Sequence, residues 1–245
     1  MMALLEVAAS SLTSALAAQA GGAGRVELCG QLADGGVTPS YGLVATARDR
    51  LRIPLYVLVR PRSGDFLYDE AEFELMQRDI EACVRLGCDG VVIGALDADA
   101  GVDLAGCRAL VAAAGGLGVT FHRAFDAAPD PARALEDVIA LGCERVLTSG
   151  GHRSALEGAA HIAALVQQAA GRVRIMAGAG IRPENVADVL ARSRADELHA
   201  SARGLYRSTM RWRNERLEDL AVDRQETDPA IVAALVAALA VAQEA

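Results

Sequence analysis

Short apolar runs alternate with longer segments of helical periodicity along most of the 245-residue chain. Residues 55–59 are apolar throughout, which is typical of a strand buried on both faces of a parallel sheet. Between residues 69 and 86, apolar residues recur at three- and four-residue spacing, which predicts a helix with one buried face. They are Phe73, Met76, Ile80 and Val84. The same alternation predicts eight strands. Seven of them cover residues 4–7, 25–29, 55–59, 90–94, 145–149, 173–177 and 197–200, and the fifth begins at residue 119.

A weak internal repeat supports a regular succession of strand–helix units. The order Leu-Gly-Cys, acidic residue, strand start occurs at 86–92 and again at 141–147. Eight strand–helix units in a chain of this size favour a (β/α)8 TIM barrel, an α/β fold, over an open sheet. Because no linker or low-complexity segment interrupts the pattern, we expect a single domain over residues 1–245.

Cap and turn residues mark several predicted boundaries. Pro39 suits the first turn of the second helix. Residues 201–227 are the least regular part of the sequence and predict a long loop after the last strand. Asp228 as the cap and Pro229 as the first helical residue predict a closing helix over about 229–243.

The composition predicts a folded protein with a large aliphatic core. Hydrophobic residues make up 52% of the chain, aromatic residues 4%, and the mean hydropathy is +0.24, which argues against disorder. The net charge of −8 disfavours a nucleic-acid partner, because phosphate contacts need clustered Lys and Arg. The apolar tail at 231–242 is shorter than the roughly 18 to 20 residues that a membrane span needs, so no membrane partner is expected.

Five scattered cysteines indicate reduced thiols rather than a disulfide framework. With no signal-peptide pattern before Arg25, we expect a cytoplasmic protein. No Cys-x-x-Cys pair and no zinc-like spacing occurs. Cys29 is the one thiol at the carboxyl end of a predicted strand, which makes it the candidate metal ligand. Cu(I) prefers thiolate or thioether ligands, and Cys29 alone cannot make a two-thiolate site.

The most informative stretch is 119–126, which begins as a buried strand and then places His122, Arg123 and Asp126 close together. Such groups are costly inside a sheet, but the carboxyl ends of barrel strands are where sites are built. We therefore expect the polar residues at the strand ends to converge on one mouth, or else to form ion pairs that only hold the strands in register. The other candidates at strand ends are Glu6, Glu27, Cys29, Arg60, Asp65, Ser149, Gly178, His199 and Ser201.

Acid–base chemistry is the first role that these residue types indicate. His122 and His199 titrate near neutrality, so each is a candidate general acid or base, a metal ligand or a structural histidine. Glu27 and Asp126 are candidate catalytic carboxylates that would tune a neighbouring histidine.

Anion binding is the second role. Arg60 and Arg123 suit bidentate binding of an anion, although both could instead pair with Glu6 and Glu27. The small residues at 176–184, Gly178 among them, suit a phosphate cradle or equally a tight turn. The remaining candidate ligand-binding residues are Glu6, Asp65, Ser149 and Ser201.

Several motifs in this order resemble the CutC family, whose members are named for copper homeostasis. The matching segments are 25–29, 35–40, 60–66, 119–126, 146–150, 176–180, 199–202 and 210–214. The resemblance implies a TIM barrel, a cytoplasmic location, a homodimer or higher homo-oligomer, and a link to copper with Cu(I) binding. Family members commonly carry a cysteine in the first strand, where this chain has Ala8, so a site that pairs that thiol with Cys29 would be incomplete.

Two functions follow from these observations. The resemblance implies a copper homeostasis protein with Cys29 as the first candidate ligand. The residues themselves favour an enzyme that acts on a small phosphorylated or carboxylated metabolite by acid–base chemistry. A single Cu(I) ion does not call for two arginines, because their positive charge would repel it.

Overall fold

Eight parallel strands close into a barrel in the computed structural model, which describes residues 3–214, 216 and 222–244. The strands follow one another around the barrel in chain order, and the first pairs with the eighth to close it. Their bounds are β1 Leu4–Ala9, β2 Arg25–Leu28, β3 Leu55–Leu58, β4 Gly90–Ile93, β5 Gly118–Phe121, β6 Arg145–Thr148, β7 Arg174–Gly178 and β8 Glu197–Ala200.

Helices connect the strands and cover the outside of the barrel. Their bounds are α1 Leu12–Ala20, α2 Tyr41–Arg50, α3 Glu70–Leu86, α4 Leu104–Ala114, α5 Pro131–Leu141, α6 Ala159–Ala169, α7 Val186–Ser193 and α8 Pro229–Glu244. Two short 3-10 turns lie at Leu32–Asp34 and Arg123–Ala127. This architecture confirms the predicted (β/α)8 TIM barrel. No helix in the described part of the chain has the length and apolar character of a membrane span.

The period-two alternation of side chains along each strand separates the core from the barrel interior. On β1, Leu5 and Val7 join the large apolar core between strands and helices. Glu6, which lies between them in sequence, faces the interior and pairs with Arg25 of β2.

Charged side chains fill much of the barrel interior, where aliphatic layers are more usual. Arg25 pairs with both Glu6 and Glu197. Glu197 also accepts hydrogen bonds from Arg145 Nε at 3.0 Å and from Arg174 Nη1 at 2.9 Å. Three guanidinium groups therefore share one buried carboxylate.

The second helix begins later than its proline suggested. Ser40 is the cap of α2, and its hydroxyl accepts the Leu43 N–H at 3.3 Å. Pro39 precedes this cap, so its placement in the first helical turn is wrong. A hydroxyl one residue further on supplies the better N-terminal partner.

Part of the segment predicted as a long loop forms a two-stranded antiparallel sheet, and residues 215 and 217–221 of that segment lie outside the described residues. Its strands are β9 Arg203–Tyr206 and β10 Arg224–Thr227. Glu226 of β10 accepts hydrogen bonds from the hydroxyls of Ser11 and Ser14. Thr227 N–H donates to Ser14 Oγ at 2.9 Å. These contacts attach β10 to the start of α1.

Candidate functional site

A cavity of about 1090 Å³ opens at the carboxyl ends of the barrel strands; we call it the mouth cavity. Seven residues predicted for the site line it: Glu27, Arg60, His122, Arg123, Asp126, His199 and Ser201. Five predicted residues lie outside its lining: Glu6, Cys29, Asp65, Ser149 and Gly178. The strand ends thus meet at one cavity.

Strand register brings Glu6, Glu27 and His199 together, and we call these three residues the acid–base cluster. Glu6 of β1 lies opposite His199 of β8, and Ala8 lies opposite Glu27 of β2. His199 Nδ1 is 2.8 Å from Glu6 Oε1, and His199 Nε2 is 3.7 Å from Glu27 Oε2. The imidazole therefore bridges two carboxylates, one fully buried and one at the cavity wall.

The pKa values of the two glutamates of the cluster are shifted in opposite directions. Burial alone would raise the pKa of Glu6, but the charge of Arg25 and the hydrogen bond from His199 lower it to about 2. Burial raises the pKa of Glu27 to about 7, and the nearby charge of Glu6 adds to the rise against the opposing charge of His199. Burial would lower the pKa of His199, but the carboxylates of Glu27 and Glu6 raise it.

Arg60, at the end of β3, is buried against backbone carbonyls. Its Nη1 donates to Gly36 O at 3.0 Å and its Nη2 to Gly64 O at 2.7 Å. Its Cζ lies 4.9 Å from the centroid of the Phe66 ring. Among the described residues, its guanidinium forms no salt bridge, which removes the alternative that Arg60 pairs with Glu6 or Glu27.

His122, at the end of β5, is a neutral hydrogen-bond donor. Its Nδ1 accepts the Ala124 N–H at 3.1 Å, so the ring proton of the neutral form sits on Nε2. Burial and the charge of Arg60 lower the pKa of His122 to about 3. This geometry differs from the acid or base role predicted for His122, because the ring stays uncharged near neutrality and its basic nitrogen is occupied.

Asp126 joins the turn after β5 to the loop after β6. Its carboxylate accepts hydrogen bonds from the hydroxyls of Thr148 and Ser149 and from the backbone N–H groups of Ser149 and Gly151. It also pairs with Arg123 Nε at 2.8 Å, while Arg123 Nη2 donates to Ser149 Oγ at 3.0 Å. These bonds occupy both oxygens of Asp126, which gives it a structural part where a catalytic one was predicted. Arg123 is thus paired with Asp126, not with Glu6 or Glu27 as the alternative for the arginines expected.

The remaining predicted ligand-binding residues differ in position. Asp65 is largely exposed and pairs with Arg62 at 3.0 Å. A Cβ added at Gly178 would lie 2.6 Å from Leu147 Cδ1 and 3.3 Å from His199 Cβ. Gly178 therefore leaves room for Leu147 and His199. This contact favours neither the phosphate cradle nor the tight turn that the small residues suggested. Ser201 lies in the cavity wall.

The surroundings of Cys29 disfavour a Cu(I) site made by one chain. Its thiol is fully buried, its Sγ lies 3.7 Å from Ala9 O, and burial raises its pKa, which opposes the thiolate that binds metal. Ala8 occupies the neighbouring inward position of β1 and offers no ligand. Within the described residues, no three His, Cys, Asp or Glu side chains are grouped to hold a metal ion.

Several residues of the mouth cavity were not predicted from the sequence. Phe66 follows the candidate strand end in the loop after β3, and its place in a motif was the only signal for it. Gln225 and Ile231 reach the cavity from the far end of the described chain, and no local pattern marks them.

The chain is similar over most of its length to proteins of one known family. The sequence profile of the CutC family matches residues 3–204. The chain belongs to the CutC family. A CutC family protein of Xanthomonas axonopodis pv. citri is 61% identical over 235 residues, covering 96% of this chain and 98% of the relative. The CutC family protein of Chromobacterium violaceum is 54% identical over 243 residues, with 96% and 98% covered.

Solved structures agree with this membership. A crystal structure of CutC from Streptococcus agalactiae, assigned in its description as a copper homeostasis protein, matches with a TM-score of 0.78 and 35% identity. The match covers 82% of this chain and 99% of that one. Thiamine phosphate pyrophosphorylase of Pyrococcus furiosus is only 13% identical with a TM-score of 0.60, so its likeness to this chain concerns the fold alone.

Proposed function

We propose that the mouth cavity is an active site in which Glu27 and His199 perform acid–base chemistry on a small anionic metabolite. The observation that carries this proposal is the position of Glu27, whose carboxyl group lines the cavity with a pKa raised to about 7. A general acid or base works best when its pKa lies near the operating pH.

Each member of the acid–base cluster has a distinct part. Near neutrality Glu27 is present in both protonation states, so its carboxylate can accept a proton from substrate and its acid form can return it. His199 is held by Glu6 through Nδ1, which leaves Nε2–H directed toward Glu27 and the cavity. Glu6, kept ionised by Arg25, fixes the orientation and protonation of the imidazole. Glu6 and Arg25 are therefore positioning residues.

Arg60 supports the anionic character of the substrate. Its guanidinium lines the cavity and carries a positive charge with no salt bridge in the described part of the chain. A charged group in a partly enclosed cavity attracts ligands of the opposite charge.

Copper homeostasis with Cu(I) binding is a second candidate, favoured by the description of the Streptococcus relative. Cu(I) would then be the protein's cargo and Cys29 its first ligand. The burial of this thiol and the presence of Ala8 argue against tight binding by one chain. A copper-related role at the level of the cell is compatible with an enzymatic activity of the barrel.

Proton exchange tests the first candidate without knowledge of the full reaction. Small carboxylated and phosphorylated metabolites are incubated with the protein in D₂O, and loss of each C–H signal is followed by proton NMR. We expect exchange with at least one compound in the native protein and a fall of about 100-fold or more in Glu27→Gln, in line with the usual contribution of a general acid or base.

Glu184→Gln is the matched control for this assay, because Glu184 is an exposed carboxylate that lines the same cavity. Equal losses of exchange in the two variants would contradict a specific part for Glu27. If no compound exchanges in the native protein, the acid–base proposal fails.

Anaerobic titration of the reduced protein with Cu(I) against a competing chelator tests the second candidate. Tight binding that is lost in Cys29→Ser would support copper as the cargo. Binding no stronger than that of a generic exposed thiol, or equal binding in Cys29→Ser, would exclude Cys29 as the ligand of a copper site.

A further inference from the structure

Three buried side-chain polar atoms in the described residues have no hydrogen-bond partner: Arg60 Nε, Tyr68 Oη and His122 Nε2. Buried polar groups are nearly always paired, so each exception needs a physical reason. All three belong to one neighbourhood beside the mouth cavity, and Tyr68 lies close enough to Arg60 for the guanidinium to lower the pKa of its hydroxyl. The ring of Phe66 lies 5.1 Å from the ring of His122 and 4.9 Å from Arg60 Cζ.

The three atoms are all suited to donate a hydrogen bond. Arg60 Nε always carries a proton, and the Nη groups of Arg60 are already directed at carbonyls. His122 Nε2 carries the ring proton because Nδ1 accepts the Ala124 N–H. The Tyr68 hydroxyl stays protonated, since burial raises the pKa of Tyr68 although the charge of Arg60 opposes the rise. The group that would complete this neighbourhood is therefore an acceptor.

We propose that Arg60, His122 and Tyr68 form the binding subsite for a carboxylate group of the substrate, which Phe66 covers in the free protein. The proposal rests on the proposed function and names the anionic group on which that function depends. It replaces the pair of arginines predicted from the sequence, because Arg123 is already bound to Asp126.

Charge favours a carboxylate over a phosphate monoester. Arg60 supplies one positive charge, and His122 supplies a neutral N–H because burial and Arg60 hold its pKa at about 3. A carboxylate brings one negative charge and two coplanar oxygens, which suit donors such as a guanidinium N–H. A dianionic phosphate would bring a second negative charge, and no free cation among the described residues around these donors balances it. Another guanidinium in this neighbourhood is that of Arg62, 5.3 Å from the centroid of the Tyr68 ring, and it is already paired with Asp65 and Glu72.

The position of Phe66 explains why the donors are buried when the cavity is open. Phe66 is itself part of the cavity lining, in the loop between β3 and α3. Its ring must turn aside before a ligand reaches Arg60 Nε and His122 Nε2. Ligand binding then replaces the aromatic contact over the guanidinium with charge-assisted hydrogen bonds.

Histidine NMR tests the subsite without any turnover. The imidazole signals of His122 are followed while sodium acetate replaces sodium chloride at constant ionic strength and neutral pH. We expect a saturable shift in the native protein and acetate binding at least about tenfold weaker in Arg60→Lys, which keeps the charge but loses the Nε donor. Arg182→Lys is the control, because Arg182 lines the opposite wall of the cavity, and we expect its acetate affinity to be unchanged.

Two further measurements keep the test independent of the folding of Arg60→Lys. Phe66→Ala should bind acetate at least as tightly as the native protein, because no ring has to be displaced. Inorganic phosphate should bind more weakly than acetate. Loss of acetate binding in Phe66→Ala would overturn the covering part of Phe66, and tighter binding of phosphate would overturn the assignment to carboxylates.

Failure of the subsite is distinguishable from failure of the proposed function. Acetate binding does not need Glu27, so Glu27→Gln should retain it. An unshifted His122 signal in a protein that catalyses Glu27-dependent exchange would overturn the subsite alone. A saturable shift without any exchange would support the subsite and count against the acid–base function.

Discussion

Two glutamates on neighbouring strands show how local charge decides the behaviour of a residue. Glu6 and Glu27 both face the barrel interior and both contact His199. Arg25 pairs directly with Glu6, so Glu6 remains ionised at almost any pH. Glu27 lacks such a direct partner, and burial holds its pKa near 7. Because Arg25 pairs directly with Glu6 and not with Glu27, Glu6 keeps a permanent negative charge while Glu27 exchanges protons near neutrality.

Glu27→Gln should change the pH dependence of stability. Glu27 titrates near 4.5 when unfolded and near 7 when folded, so the folded state holds a proton that the unfolded state has lost between these values. The free energy of unfolding of the native protein therefore falls through this window, by about 3 kcal/mol from this group. Urea unfolding of both proteins at several pH values should show the variant gaining stability over the native protein from pH 4.5 to 7. A difference that does not vary with pH would contradict the shift.

Glu6→Gln should lower the pKa of His199. The carboxylate of Glu6 accepts the Nδ1–H bond and is one of the two charges that raise this pKa. A neutral amide keeps an acceptor but removes the charge, so less of the imidazole is protonated near neutrality. Histidine NMR titration measures the change directly. An unaltered His199 titration would show that Glu27 alone sustains the imidazolium.

At the scale of elements, the loops after β5 and β6 are joined by one side chain. Asp126 lies in the 3-10 turn Arg123–Ala127 and accepts hydrogen bonds from both the end of β6 and the loop that follows. The turn begins at His122, whose Nδ1 accepts from Ala124. The bonds of Asp126 thereby fix the position of His122 at the cavity.

Asp126→Asn should destabilise the protein by about 2 kcal/mol or more, because an amide cannot accept all the bonds that the carboxylate accepts. Urea unfolding gives the free energy. Asp65→Asn is the control at an exposed pair with Arg62, where little change is expected. Equal effects at the two positions would mean that the Asp126 bonds add nothing beyond a surface contact.

The sequence predicted the barrel and the meeting of strand ends, but not how the residues at the mouth pair. Alternation of polar and apolar residues in Arg25, Val26 and Glu27 indicates an interior with charges. Which carboxylate Arg25 binds depends on strand register, which period alone cannot supply. Local patterns also could not predict that Asp126 anchors two loops, or that Phe66 packs against His122. Both contacts join residues of separate loops, whose relative positions depend on the folded barrel.

At the scale of the whole molecule, the layer between the strands and the helices is apolar, and the inside of the barrel contains ion pairs. The large core packs between strands and helices, while Glu197 pairs with the buried Arg25 and Arg145 inside the barrel and with the largely exposed Arg174. Buried ion pairs contribute less to stability than their Coulomb attraction suggests, but breaking one leaves an uncompensated charge. The interior charges therefore add little net stability as pairs, whereas the loss of one partner is costly.

Glu197→Gln should destabilise the barrel by roughly 3 to 5 kcal/mol, because Arg25 and Arg145 remain buried with their charges after the carboxylate is lost. Denaturant unfolding with an unchanged slope would attribute the loss to the native state. Glu136→Gln is the control, since Glu136 pairs with Arg172 at the surface, and its midpoint should stay close to that of the native protein. A midpoint for Glu197→Gln equal to that of the control would contradict an essential interior pair.

The bond between Glu6 and His199 joins residues 193 positions apart, and those between β10 and α1 join residues more than 200 apart. On a ribosome, which releases the amino-terminal side of a chain first, none of these bonds can form until β8 and β10 have emerged. A nascent chain that stalls before β8 would hold Glu6 and Arg25 without His199 and Glu197, in a sheet with two open edges. Such products would be substrates for chaperones and proteases, so a truncated chain would not supply a working mouth.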